Sequence, residues 1–173
     1  MKKNNPPSRV KVVCIGNRLR GDDAAGRYVA DLLRKNGGID VVEASSPLEI
    51  LDVITSDTSH LIVVDAVENG GNPGKIHRLE IEDLISKNIS YSSTHLLSLP
   101  ETIKLLTALG EFGGKITLFG VEGADFGYGE KLSPKVEEAC RKIANMIKIM
   151  FAWKTSSNLK TIRRKQASNR HNL

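Results

Sequence analysis

Aromatic residues are scarce in this chain, 5% of 173 positions with one tryptophan, so any core must be built from aliphatic side chains. The Val, Ile, Leu and Ala runs supply it, and 40% hydrophobic content excludes disorder throughout. Cysteine is limited to Cys14 and Cys140, both in apolar segments without metal-ligand spacing, which excludes a disulfide framework and reads as two buried thiols. No stretch approaches the roughly 20 apolar residues of a membrane span, and the start of the chain lacks a signal-peptide cleavage pattern. The expectation is a cytoplasmic protein with no membrane partner. Also missing are a G-x-S-x-G elbow, an H-E-x-x-H helix and a cysteine with a histidine base, which removes the common serine, zincin and cysteine hydrolase templates.

The net charge of +5 suggests nucleic acid until it is divided along the chain. Six basic residues and no acid follow Trp153, and Lys2, Lys3 and Arg9 stand at the start, leaving the body between them mildly acidic. Basicity confined to the ends argues against a basic groove, so no nucleic-acid partner is expected.

Residues 9–15 form a β-branched run that ends at Gly16 and Asn17, and residues 24–34 place Ala25, Val29, Leu32 and Leu33 at helical spacing. A second strand is expected over 39–43, followed by a helix start capped by Ser46 with Pro47 and Glu49. Residues 60–67 are nearly continuous apolar sequence around Asp65, the pattern of a strand covered on both faces. After a turn-rich loop, 75–81 alternates as an antiparallel or edge strand would. A helix is expected over 96–109 with Pro100 in its first turn, a strand over 116–121, and a long helix from Ser133 and Pro134 carrying Val136, Cys140, Ile143 and Ile147 on one face. The alternation predicts an α/β fold, a three-layer α/β/α sandwich around a mostly parallel, twisted sheet of about five strands. Residues 1–153 read as one domain and 154–173, polar and basic without periodicity, as a flexible tail.

In such a sheet the ligand crevice lies beyond the carboxyl ends of the strands. Three segments qualify: the loop from Gly16 to Asp23, Asp65 at the end of its strand, and Ser93, Thr94 and His95 before the Leu-rich helix. One of Asp22 and Asp23 can cap the helix beginning at Ala24 while the other points into the crevice. The loop matches no phosphate-binding glycine pattern, and its two acids would repel a nucleotide. Taken alone, Asp65 fits an ordinary strand-end residue bonded to a neighbouring loop as well as it fits a functional one, and His95 reads as structural. Two acids and a histidine on three crevice loops, however, form an oxygen and nitrogen ligand set for a borderline divalent ion such as zinc or nickel. His60, His77 and His171 lie at a strand start, inside a strand and in the tail. Arg18 and Arg20 are either solvated loop charges or steer an acidic partner, and Glu122, after the last strand, is placed to fix a loop.

The segments 13–23 with Gly26, 62–66, 93–95, 119–122 and 132–134 together resemble the nickel-iron hydrogenase maturation endopeptidases. The resemblance runs from about Val10 to about Met150 and departs in carrying Asp23 where some members have Glu and Ala24 where many have Gly. It implies a protease that removes the C-terminal extension of a hydrogenase large-subunit precursor after nickel insertion. Asp23, Asp65 and His95 then fall on the family's metal contacts and catalytic positions, reading nickel carried by the substrate rather than holding a permanent cofactor; other divalent ions would fit in vitro. The implied partner is the precursor, and the expected state is a monomer. A non-catalytic nickel checkpoint that binds the loaded precursor is the alternative reading.

Overall fold

The computed structural model describes residues 9–35, 38–68, 71–80, 99–110 and 112–169, with side chains described through residue 152. Its centre is a five-stranded sheet made of β1 (Arg9–Ile15), β2 (Asp40–Ala44), β3 (Thr58–Val67), β4 (Ile76–Glu80) and β5 (Lys115–Glu122). The spatial order is β2-β1-β3-β5-β4. β1, β2, β3 and β5 run parallel, and β4 pairs antiparallel with β5 at the edge. The continuous apolar run of β3 thus takes the middle of the sheet, where both faces are covered, and the alternating segment takes the rim.

Both faces carry helices. Ile62, Val64 and Ala66 of β3 point toward α1 (Ala25–Arg34) and α4 (Pro134–Asn169), packing with Val29, Leu33, Val136 and Ile143. Leu61, Val63 and Val67 point the other way, onto the short α2 (Ile50–Val53) and α3 (Leu99–Ala108), with Ile50, Leu99, Ile103 and Leu106. The result is the expected three-layer α/β/α sandwich. Ser46 caps the 3-10 turn Pro47–Glu49 that leads into α2, its hydroxyl accepting from the Leu48 N–H at 3.2 Å.

Cys14 and Cys140 are both free and buried on the α1/α4 side, as expected. Burial pushes both thiols up, Cys140 to about 12, so neither supplies a thiolate nucleophile. The last described side chains packed on this core are Met150 and Phe151, but the helical backbone of α4 continues to Asn169. Among the described residues no helix is long and apolar enough to cross a membrane.

Candidate active site

β2 lies on one side of β1 and β3 on the other, so the chain reverses direction across the sheet at β1. The crevice beyond the carboxyl ends of β1 and β3 is therefore the topological switch point, where open α/β sheets bind ligands. The loop after β1 carries Asp22 and Asp23 there, and β3 carries Asp65.

The first loop is built around its own backbone. Gly16 has φ +146°, and a Cβ at that position would lie 2.0 Å from the Asp23 carbonyl oxygen, so only glycine lets the chain pass. The next N–H, of Asn17, then donates to Asp23 at 3.1 Å from Oδ2 and 3.3 Å from the main-chain oxygen. Arg27 on α1 holds the other side of this peptide: its Nε donates to the Gly16 carbonyl at 2.7 Å while its guanidinium reaches Glu43 and Ser45, each at 2.9 Å. Glu43 also receives Arg18, at 2.9 Å, and Arg34. Burial pushes the Glu43 carboxyl up, but hydrogen bonds from Arg34, Arg27 and Arg18 outweigh it and hold the pKa at about 2. Arg18 also forms a two-pronged pair with Asp31 at 2.8 and 3.0 Å, and Arg20 donates to the Phe126 carbonyl, so both loop arginines are committed to the fold.

Neither acid of the pair caps a helix, contrary to the local reading of the sequence. The N–H groups of the 3-10 turn Gly21–Ala24 are already taken by main-chain carbonyls: Gly21 by Gly129, Asp22 by Asp125 and Asp23 by Arg20. Asp22, fully buried, instead accepts from the N–H groups of Ala124 (2.7 Å), Asp125 (3.0 Å) and Ser133 (2.6 Å) and from the Ser133 hydroxyl (2.8 Å). It ties the first loop to the one after β5. Nothing near Asp22 in the chain signals this role, because every partner lies more than 100 residues away.

Asp65 points to the α2/α3 side of β3 and is 1% exposed. Its Oδ1 accepts from the Ala66 N–H at 2.9 Å, and its Oδ2 has no hydrogen-bond partner among the described residues. Burial, with the negative charge of Asp23 adding to it, pushes this carboxyl up to about 8. An orphaned buried oxygen is rare enough to require an explanation, and such perturbed acids concentrate at functional sites. The structure thus brings Asp23 and Asp65 within electrostatic reach of each other. His95 lies outside the described residues. Leu99, four positions later, is buried on the same sheet face as Asp65. Among the described residues no three His, Cys, Asp or Glu side chains form a metal-holding group by themselves.

Two further residues border this end of the sheet. Glu122 ends β5 and His77 lies near the start of β4, with His77 Nε2 2.9 Å from Glu122 Oε1. The Glu122 main chain meanwhile anchors the loop before β4, its carbonyl accepting from the Gly74 N–H at 2.8 Å and its N–H donating to the Lys75 carbonyl at 3.0 Å.

The sequence profile of the hydrogenase maturation proteases matches residues 28–149. The hydrogenase 2 maturation protease of Escherichia coli K12 is 32% identical over 136 residues, which is 75% of this chain and 82% of that protein. Among solved structures, the nickel-iron hydrogenase maturation protease HycI of Thermococcus kodakarensis aligns with a TM-score of 0.64 and 27% identity, over 81% of this chain and 90% of its own. HybD of the same organism has a TM-score of 0.71 at 23% identity, covering 82% and 98%, and supports the fold. On the match of the sequence profile and of these relatives, the chain belongs to the hydrogenase maturation protease family, a family of peptide-bond hydrolases.

Proposed function

We propose that this enzyme removes the C-terminal extension from the large-subunit precursor of a nickel-iron hydrogenase after nickel insertion, and that the nickel borne by the precursor is what it recognises. The observation that carries the reading is Asp65 Oδ2, buried at the switch point within electrostatic reach of Asp23 and without a hydrogen-bond partner among the described residues. Carboxylate oxygens with an imidazole from His95 suit a borderline divalent ion, and precursor cysteines would complete its coordination. The names of the similar proteins supply the substrate class.

In this reading Asp23, Asp65 and His95 grip the substrate's nickel and hold the adjoining peptide in the crevice, which turns hydrolysis into a positioned, effectively intramolecular step. A cation beside Asp65 replaces the repulsion from Asp23 with attraction and lets the carboxyl give up its proton. The substrate's nickel also suits a Lewis-acid role toward the scissile carbonyl. The enzyme acts as a monomer in the cytoplasm, in keeping with a chain that must embrace a partner larger than itself.

The test is intact-mass analysis of purified precursor, with and without nickel, after incubation with the enzyme. Nickel-loaded precursor should lose its C-terminal peptide while nickel-free precursor keeps it, and Asp65→Asn or His95→Ala should leave both uncut. Equal cleavage of the two precursors would overturn nickel-dependent recognition.

A further inference from the structure

The row of the sheet that holds Asp65 continues across two more strands. Asp65 of β3 pairs with Gly120 of β5, and Gly120 pairs with His77 of β4. Paired residues share a face. The packing agrees: Leu79, two residues after His77, joins the cluster of Leu61, Val63 and Val67, which lies on the Asp65 side. His77 therefore faces the same way as Asp65, about 10 Å away by two strand spacings. Gly120 puts no side chain in the lane between them. The imidazole is partly open, its side chain 24% exposed, whereas that of Glu122 is 2% exposed. Gly71 closes tightly over Glu122, since a Cβ there would lie 2.9 Å from Oε1. A buried carboxylate bonded to one ring nitrogen fixes the ring and leaves the other nitrogen for proton exchange.

We infer that His77 is a further catalytic residue, the proton carrier of the hydrolysis, with Glu122 as its positioning residue. The inference rests on the reading that Asp65 grips the substrate. The free ring nitrogen takes a proton from the attacking water as the new C–O bond forms. It passes that proton to the leaving amine nitrogen as the C–N bond breaks. The products are a carboxylic acid and an amine, and the ring returns to its neutral state.

The experiment measures binding and single-turnover cleavage of nickel-loaded precursor by the wild type and by His77→Gln, His77→Ala, Glu122→Gln and Asp65→Asn. His77→Gln retains a hydrogen-bonding group for Glu122, and a thermal melt shows whether each variant folds. His77→Gln should slow cleavage by about 100-fold or more while leaving precursor affinity within about threefold, as loss of a general acid-base group does. Added imidazole should restore about tenfold or more of the rate in His77→Ala and nothing in His77→Gln, a response that a structural role would not produce. Glu122→Gln should slow cleavage by about tenfold with binding intact. A His77→Gln rate within about threefold of wild type, a loss confined to binding, or failure of imidazole rescue in folded His77→Ala would overturn the assignment. Loss of precursor binding in Asp65→Asn alongside normal cleavage by His77→Gln would overturn the role of His77 alone. Wild-type binding by Asp65→Asn would overturn the reading on which it rests.

Discussion

Asp22 takes both hydrogens that Ser133 offers, one oxygen accepting from its N–H at 2.6 Å and the other from its hydroxyl at 2.8 Å. With the Ala124 and Asp125 N–H groups also donating to it, Asp22 is a buried staple between the loops after β1 and β5. The two neighbouring acids thus divide their work. Asp22 is consumed in holding the loops together, which leaves Asp23 for the crevice.

Removing that staple should be costly. Asp22→Ala leaves three main-chain donors without their carboxylate and is expected to destabilise the fold by about 3 kcal/mol. Ser133→Ala removes one hydroxyl bond and should cost about 1 kcal/mol. Urea unfolding of the two variants checks both the size and the order; equal effects would show that the carboxylate does not serve several donors.

Asp65 should make the protein less stable as pH rises. Its native pKa of about 8 lies above the ordinary 3.8, so the folded state holds a proton that the unfolded state releases between those values. Its contribution is fully present below about pH 4 and is lost as pH rises through about 8. Asp65→Asn, which carries no charge to bury, should abolish cleavage and gain stability over wild type progressively from pH 5 to pH 8. Denaturant midpoints at several pH values measure this, and a constant gap would count against the raised pKa.

Glu43 should act in the opposite sense. Its native pKa of about 2 lies below the ordinary 4.5, so its arginine contacts contribute above that ordinary value and fade as pH falls toward 2. Arg18 and Arg34 are about half exposed, and solvent screening reduces the effect. Glu43→Gln is expected to lose about 2 kcal/mol at pH 7 and much less at pH 3, measured by urea unfolding.

Deleting residues 154–173 should leave melting temperature and precursor processing close to those of the full chain. Met150 and Phe151 are the last described side chains packed on the core, so the truncation spares that contact. A melt and a cleavage assay on the shortened chain decide it, and a large loss of either would give the basic segment a role in the fold or in holding the precursor.

The strands were readable because their burial is written into their composition. The apolar run of 60–67 marks a central strand, and the alternation of 75–81 marks the antiparallel rim, which became β3 and β4. The crevice acids were readable as strand-end residues. The function of Asp22 was not, since its partners are distant in sequence and most are main-chain groups. His77 was set aside as a mid-strand residue. Strand direction changes that: β4 is antiparallel, so its beginning lies at the carboxyl ends of its neighbours. The helical backbone from Trp153 to Asn169 has no apolar stripe to announce it. His95 falls among residues that the structure does not describe.

Gly26 presses α1 onto β1 so closely that a Cβ there would lie 2.0 Å from the Ile15 carbonyl oxygen, and at Gly16 the obstacle is the Asp23 carbonyl at the same distance. In both places the obstacle is main chain, which cannot rotate aside as a side chain can. Strand, turn and helix are thereby locked into one stiff unit. Those two main-chain contacts set how closely the turn that bears Asp23 is held between β1 and α1, so a side chain added at either glycine would displace that acid from the crevice.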